Sequence, residues 1–247
     1  MEIVALANQK GGVAKSTSTY NLAYLKAKEG KRVLMVDFDP QRSLTILCGM
    51  MPGETEYTIC DLIQGQDPFD CGYNVEKSGL ENLYIIPSSI EFAEIETEMS
   101  KQTSREDILR KQLIHFEGEF DYIFIDCPPQ LGILTTNALV AATQVIVPTK
   151  AEYLSYQGVR DLKRTIQIVK EKFNPTLRFR GVLITMYERQ INDQRDILEL
   201  FRREGCVIGM IKKSADVYRH VISGVPMVAA LPKSEPAIAY AEIAKII

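Results

Sequence analysis

The residues best suited to chemistry lie near the start of the chain, in a loop between an apolar run and a helical segment. The apolar run is Ile3 to Ala7, the loop covers residues 8–17, and helical periodicity follows. Two consecutive glycines, Gly11 and Gly12, allow backbone conformations that other residues avoid, so successive N–H groups can turn inward near a helix N-terminus. Because such groups bind phosphate oxygens, the pattern predicts a polyphosphate-binding loop.

The side chains that close this loop extend the prediction to a nucleotide and a metal ion. Lys15 would add positive charge at the β- and γ-phosphates, Ser16 would place its hydroxyl on Mg²⁺, and Thr17 is placed for the α-phosphate. The strict motif G-x-x-x-x-G-K-[ST] fails at both glycines, since Gln9 and Ala14 occupy those positions. We expect the alanine methyl to be tolerated if its φ is negative. The predicted nucleotide-binding set is Gly11, Gly12, Val13, Ala14, Lys15, Ser16 and Thr17.

Carboxylates follow two other predicted strands. Asp37 and Asp39 come after the apolar run at residues 33–36, and Asp126 follows the run at residues 122–125. A carboxylate at a strand end can hold a metal ion or orient water, and we expect Asp126 to reach Mg²⁺ through water, as the partner of Ser16. For Asp37, capping of the loop and a place in the Mg²⁺ shell remain equally open.

Short apolar runs that alternate with helical segments define the fold class. The predicted strands are Ile3 to Ala7, Val33 to Val36, Leu83 to Ile86, Tyr122 to Ile125, Val145 to Val147, Val182 to Ile184 and Val207 to Ile211. The predicted helices are Ser16 to Glu29, Leu154 to Phe173 and Asp193 to Arg203. Such alternation predicts an α/β fold, with a mostly parallel central sheet flanked by helices on both faces. Residues 49–79 show weak periodicity, which predicts irregular loops around a short helix.

Composition narrows the class of protein. The chain has 247 residues, of which 46% are hydrophobic and 25% are charged, so we expect one domain over residues 1–247. The sequence shows no signal peptide, membrane-spanning run or C-x-x-C pair, which predicts a cytoplasmic protein whose five cysteines are reduced. The net charge of −3 hides an asymmetry, because residues 150–220 carry 15 Lys/Arg against 9 Asp/Glu. This segment could form a basic face, although composition alone favours scattered solvated side chains.

The glycine loop carries a further lysine, Lys10, directly before Gly11 and Gly12, and so follows the deviant form K-G-G-x-x-K-[ST]. With this loop, the chain resembles the ParA/Soj/MinD family of deviant Walker A P-loop ATPases, closest to the ParA/Soj plasmid or chromosome partitioning proteins. The similarity continues through residues 147–158, 181–187 and 223–226. It departs at residues 211–214, where relatives commonly carry Pro-Arg-Asn for contact with the base.

The resemblance implies a function and a set of roles. It implies ATP and Mg²⁺ as cofactors, Lys10, Lys15 and Asp39 as catalytic residues, and an ATP-sandwiched homodimer in which Lys10 acts across the subunit boundary. Asp39 would position the attacking water. We further expect slow hydrolysis stimulated by a ParB-like activator, association with the nucleoid, and non-specific binding of DNA by the ATP dimer. The DNA-binding candidates are Arg189, Arg195, Arg202, Arg203, Lys212, Lys213 and Arg219.

The same residues can be compared with three alternative functions, of which the first stays open and the other two are disfavoured. A ParA-like ATPase that positions a protein cargo would share the catalytic motifs. A MinD-like membrane cycler would need a basic amphipathic C-terminal helix, whereas residues 237–247 carry one lysine and look suited to core packing, so we expect no membrane partner. A redox protein resembling the nitrogenase iron protein would need paired cysteines at a dimer axis, and only Cys127 lies near the predicted site.

Overall fold

An eight-stranded sheet forms the centre of the molecule. A computed structural model of the chain describes residues 1–51, 53–215, 217 and 223–247. The strand order is β3-β4-β2-β5-β1-β6-β7-β8, and every neighbouring pair is parallel except the antiparallel pair β3–β4. The strands are β1 (Glu2–Leu6), β2 (Val33–Asp37), β3 (Tyr73–Asn74), β4 (Leu83–Ile86), β5 (Tyr122–Asp126), β6 (Gln144–Lys150), β7 (Arg178–Tyr187) and β8 (Val207–Lys212).

Helices cover both faces of the sheet because each central strand is apolar on both sides. In β1, Ile3 and Ala5 pack into one hydrophobic core while Val4 and Leu6 pack into the other. The first core is closed by α3 (Ile59–Gln64), α4 (Phe92–Met99), α5 (Ile108–Leu113), α6 (Ile133–Ala141), α7 (Tyr153–Lys172) and α8 (Asn192–Arg203). The second is closed by α1 (Lys15–Lys28), α2 (Ser43–Leu47), α9 (Met227–Ala230) and α10 (Glu235–Ala244). The predicted fold class is therefore confirmed.

The differences from the predicted elements lie at the edges of the sheet and between its strands. All seven predicted strands are present, and β6 and β7 run several residues beyond their predicted ends. Residues 49–79 contain the predicted short helix, α3, together with the two-residue edge strand β3 and a 3-10 helix at Glu76–Ser78. The helices α4, α5 and α6 were not predicted, because their apolar positions pack against other helices as well as the sheet.

Two further expectations can be compared with the structure. All five cysteines are buried, and none of them forms a disulfide. Within the described ranges, no helix combines the length and apolar character needed to cross a bilayer.

Candidate functional site

The glycine loop runs from β1 to α1 at the carboxyl end of the sheet and contains two residues in the left-handed region. Gly12 has φ 66°, and Ala14 has φ 59° and ψ 36°. The condition set for an easily tolerated alanine methyl, a negative φ, is therefore not met, because the chain keeps the left-handed turn although no glycine is there. For an alanine this conformation costs about 1 kcal/mol. The preceding carbonyl, that of Val13, is held by the Thr185 hydroxyl at 3.2 Å, which helps to impose the turn.

The start of α1 is built to receive an anion. No side chain caps its first N–H groups, since the residue before the helix is Ala14 and the first turn holds no acidic residue. Lys15, the first helical residue, is only 7% exposed, and its Nζ donates to the Lys10 carbonyl across the loop at 3.4 Å. A helix N-terminus with uncapped N–H groups and a buried ammonium is stabilised by bound phosphate.

Two buried carboxylates stand side by side next to this loop. Asp37 ends β2 and Asp126 ends β5, and the two residues are direct partners in the parallel register. Both are completely buried. Burial, followed by the neighbouring charge of Asp37, raises the pKa of Asp126, while the Ser16 hydroxyl and the Lys15 ammonium oppose this shift. The Ser16 hydroxyl lies close enough to act on this pKa, but neither carboxylate oxygen of Asp126 has a hydrogen bond of standard geometry among the described residues.

Asp37 and Asp39 have different surroundings on the loop after β2. The Oδ2 atom of Asp37 accepts hydrogen bonds from the Thr45 amide at 2.8 Å and the Thr45 hydroxyl at 2.7 Å, so Asp37 caps the first turn of α2. Burial raises the pKa of Asp37 although these bonds oppose the shift. Asp39 accepts a hydrogen bond from the Gln41 amide at 2.9 Å. Burial raises the pKa of Asp39, although this hydrogen bond and the nearby Lys15 ammonium oppose the shift.

The acidic wall, formed by the carboxylates of Asp37 and Asp126, fits a hard divalent cation. Mg²⁺ prefers carboxylate, hydroxyl and water oxygens and is usually held by one or two carboxylates together with phosphate oxygens. Asp126 offers two buried oxygens without partners, Ser16 offers a hydroxyl beside it, and Asp37 adds a second negative charge. Because the buried Lys15 ammonium is, among the described residues, the one cation that offsets these buried carboxylates in the pKa balance of Asp126, the arrangement favours a further bound cation.

The second lysine of the loop, Lys10, contacts its own chain. Its Nζ donates to the buried Ser155 hydroxyl in the first turn of α7 at 3.3 Å. Exposed apolar side chains flank this contact on α7, where Tyr153 is 61% and Leu154 is 69% exposed. The loop after Asp126 also comes close, since a Cβ on Gly11 would lie 3.9 Å from the Pro129 Cβ. The face around Lys10 is thus partly apolar.

Several residues that position the site were not identified from the sequence. Asn8 donates to the Pro148 carbonyl at 2.7 Å and accepts from the Lys10 amide at 3.0 Å, which ties the loop to β6. Thr185 bridges the carbonyls of Val13 and Thr149, both at 3.2 Å. Their partners lie far away in the chain, so spacing carries no signal for these contacts.

The structure brings four of the seven DNA-binding candidates to one groove. A groove of about 530 Å³ between α8 and the ends of β7 and β8 is lined by Arg189, Arg195, Arg202 and Lys212. Two of these cations have acidic neighbours, since Arg202 pairs with Glu199 and Lys212 pairs with Glu235. Of the remaining candidates, Arg203 is exposed on α8 outside this groove, Lys213 pairs with Glu188 at 2.9 Å, and Arg219 lies outside the described residues.

A small apolar hollow adjoins the glycine loop on its other side. It holds about 60 Å³ and is lined by Ala14, Thr17, Met186, Ile211 and Tyr240 among others. The segment that departs from the family pattern, residues 211–214, forms part of its wall. It therefore lies next to Thr17, at the edge of the predicted phosphate loop.

The parallel sheet, the glycine loop at a helix N-terminus and the acidic strand end beside it define a P-loop nucleotide-binding protein. Comparison with known proteins narrows this class. A family model described as an AAA domain, AAA_31, matches residues 1–179. The sporulation initiation inhibitor protein Soj of Bacillus subtilis (strain 168) is 35% identical over 248 residues, which cover 99% of this chain and 97% of Soj.

Two further relatives extend the comparison. The chromosome partitioning protein ParA of Caulobacter vibrioides (strain NA1000 / CB15N) is 37% identical over 193 residues, which cover 77% of this chain and 71% of that protein. The crystal structure of cobyrinic acid a,c-diamide synthase from Mycobacterium smegmatis, with bound ATP analog and magnesium, is 32% identical with a TM-score of 0.83, covering 99% and 93% of the two chains. The chain belongs to the ParA/Soj/MinD family of P-loop ATPases, within the AAA_31 domain family.

Proposed function

We propose that this chain is a dimerising ATPase of the partition type, in which bound Mg-ATP joins two protomers and hydrolysis separates them. The single observation that carries this proposal is the pair of lysines on one glycine loop: Lys15 is buried within the loop, and Lys10 lies at a partly apolar face. Soj and ParA relatives of similar sequence support the partition role. We propose that the chain acts as one domain, residues 1–247, at the nucleoid in the cytoplasm.

In this proposal the loop binds the triphosphate and the acidic wall binds the metal ion. The backbone of residues 11–14, with Lys15, Ser16 and Thr17, surrounds the phosphates at the start of α1, and the base lies near residues 211–214. Ser16 and Asp126 would hold Mg²⁺, which when bound would supply positive charge to the phosphate oxygens. Asp39, in the loop after β2, positions the attacking water.

Lys10 provides the link between nucleotide state and assembly. Phosphoryl transfer is accelerated mainly by positioning and by charges aimed at the phosphate oxygens, so a second lysine at the γ-phosphate assists hydrolysis. In the single chain the Nζ atom of Lys10 instead donates a hydrogen bond to the Ser155 hydroxyl. We propose that in the dimer Lys10 leaves Ser155 and reaches the γ-phosphate of the partner, while Tyr153 and Leu154 are covered by the interface.

The proposed DNA binding depends on the two basic grooves that a dimer carries. Four cations line the groove in one chain, and a two-fold dimer presents two such grooves to one duplex. Pairing of Arg202 with Glu199 and of Lys212 with Glu235 reduces the positive charge of each groove. We therefore propose that a single chain binds DNA poorly. The ATP dimer, with two grooves, binds DNA without sequence preference. A ParB-like protein is the proposed activator of hydrolysis.

The test of the dimer is the variant Lys10→Ala, with Lys28→Ala as the matched control because Lys28 is an exposed lysine at the far end of α1. Sedimentation velocity with Mg-ATP and with Mg-ADP measures assembly, and calorimetry measures nucleotide affinity. We expect Lys10→Ala to bind ATP while losing ATP-dependent dimerisation and stimulated hydrolysis, and Lys28→Ala to keep all three. ATP-dependent dimers of Lys10→Ala would exclude the proposed arrangement.

The test of DNA binding is titration of a random-sequence duplex with Mg-ATP or Mg-ADP at 50 and 200 mM salt. If six phosphate contacts form, affinity should fall by about a thousandfold between these salt concentrations. Arg195→Ala should reduce affinity and the salt slope, whereas Arg164→Ala, an exposed arginine on α7, should change neither. Affinity that responds neither to ATP nor to salt would refute this part of the proposal.

A further inference from the structure

A second groove lies outside the nucleotide site, beyond the ends of β2 and β4. It holds about 460 Å³ and is bounded by α2, by residues 50, 51 and 53–61 and by residues 88–91. We call it the α2–α3 groove; the wall residues that matter here are Arg42, Thr45, Met51, Asp61, Ser88 and Glu91. Its volume is enough for two or three side chains of a peptide.

Apolar side chains are exposed at this groove. Ile46 is 45% exposed, Met51 is 61% exposed and Ile90 is 63% exposed, and all three line the same cavity. Ile46 and Met51 lie at the end of α2 and just after it, and the fold brings Ile90 from a distant segment beside them. Scattered apolar residues on a surface need no explanation, but convergence of three around one concave site is typical of a binding surface.

Two polar groups on the wall have no partner. The Nε of Arg42 and the hydroxyl of Ser88 are buried atoms without a hydrogen bond among the described residues, and Ser88 is only 5% exposed. Buried polar groups in proteins are normally hydrogen-bonded. Because neither atom is exposed, this wall of the groove must rearrange before either group can donate to an incoming partner.

Charge selects the kind of peptide. Asp61 and Glu91 line the groove, and the exposed carboxylates of Glu54 and Glu56 lie in the segment that forms one wall. Arg42 is the single basic residue that lines the groove, within the part of the chain that the structure describes. A segment with a lysine or arginine beside an apolar side chain would complement this surface.

The groove is connected to the nucleotide site through Thr45, which lines it. The Thr45 hydroxyl donates to Asp37 at 2.7 Å and accepts from the Ser88 amide at 2.9 Å. Arg42, on the same wall, donates its amide to the Asp39 carbonyl at 2.9 Å. An occupant of the groove therefore touches residues that hold the Asp37–Asp39 loop in place.

We propose that the α2–α3 groove is the docking site for a basic, apolar peptide segment of the activator, and that docking acts on hydrolysis through the Asp37–Asp39 loop. The inference rests on the proposed function, since it identifies where the ParB-like partner binds. The occupant places an apolar side chain between Met51 and Ile90 and a cationic side chain at Asp61 and Glu91.

The experiment measures stimulation of ATP hydrolysis by the ParB-like protein of the same replicon. The groove variant is Ile90→Ser with Glu91→Lys, and the matched control is Ile168→Ser with Glu171→Lys, an exposed pair on α7. We expect the groove variant to keep Mg-ATP affinity, thermal stability and basal hydrolysis, while the activator concentration for half-maximal stimulation rises about tenfold. Normal stimulation of the groove variant would overturn the docking site.

A second measurement separates failure of the docking site from failure of the proposed function. A photo-reactive benzoylphenylalanine is placed at residue 51 or, as a control, at residue 168, and irradiated with the same ParB-like protein. A crosslink from residue 51 alone supports the groove. Stimulation without a crosslink from residue 51 refutes the groove but leaves the activator, whereas neither stimulation nor a crosslink refutes both. A crosslink without stimulation keeps the groove and refutes the activation.

Discussion

Replacement of Asp126 by asparagine should stabilise the nucleotide-free protein while removing its response to Mg-ATP. The asparagine side chain would have nearly the shape of the native one and no charge. In the native protein both carboxylate oxygens are buried without partners beside Asp37. An uncompensated buried charge costs about 3 to 5 kcal/mol, and the buried Lys15 ammonium near Asp126 offsets part of this cost. An unsatisfied neutral amide in the same place costs about 1 to 3 kcal/mol.

The expected magnitude follows from these two figures. Because the raised pKa of Asp126 already relieves part of the charge penalty, we take a net gain of about 1 to 2 kcal/mol. For a chain of this size that gain raises the Tm by about 2 to 8 °C. Mg-ATP at one hundred times its Kd adds about 2.7 kcal/mol to the wild type, and the variant should gain less than half of this.

The assay is thermal unfolding of wild type and Asp126→Asn, each with EDTA alone and with Mg-ATP. The control is Asp161→Asn, because Asp161 is exposed on α7 in a surface ion pair and should shift the free energy of unfolding by less than about 0.5 kcal/mol. The stability advantage of the variant over the wild type should shrink or reverse when Mg-ATP is added. A nucleotide-free variant that is less stable than the wild type, or an equal shift of both with Mg-ATP, would refute the reasoning.

Three further predictions follow from single contacts. Ala14→Gly should raise the free energy of unfolding by about 0.5 kcal/mol in urea titrations, because relief of the left-handed alanine exceeds the entropy that glycine adds to the unfolded chain; a loss would contradict this. Ser155→Ala should release Lys10 and tighten ATP-dependent dimerisation about fivefold by sedimentation, since a bond to a charged group is lost only in the single chain; unchanged dimerisation would mean that the contact does not restrain Lys10. Gly181→Ala should destabilise by about 3 kcal/mol, because φ is 148° and the new Cβ would lie 2.4 Å from Ile208 Cγ2; a change below about 1 kcal/mol would show that β7 and β8 can separate locally.

The central part of the fold was predictable because its signals are local. Apolar runs such as residues 33–36 and 122–125 mark buried strands, and a carboxylate that follows each run marks the edge where parallel strands end. Which strands lie side by side in the sheet could not be predicted from the sequence. That Asp37 and Asp126 are direct partners depends on β2 and β5 lying side by side, although more than eighty residues separate them in sequence.

The glycine loop illustrates both success and failure of prediction. Its residues identified the family, because Lys10, Gly11, Gly12 and Lys15 form a compact motif in the sequence. The positive φ of Ala14 was not foreseen, since it is imposed by distant hydrogen bonds such as that from Thr185 to the Val13 carbonyl. The catalytic, metal-binding and DNA-binding roles of individual residues stay predictions.

Isothermal calorimetry of ATP binding, with and without Mg²⁺, tests the central claim most directly. The claim is that the loop from Lys10 to Thr17 and the carboxylate of Asp126 together form one Mg-ATP site. Wild type should bind ATP in the presence of Mg²⁺, Lys15→Ala should lose most of this affinity, and Asp126→Asn should lose its dependence on Mg²⁺. ATP affinity in the wild type that is absent, or that Mg²⁺ does not change, would contradict the account.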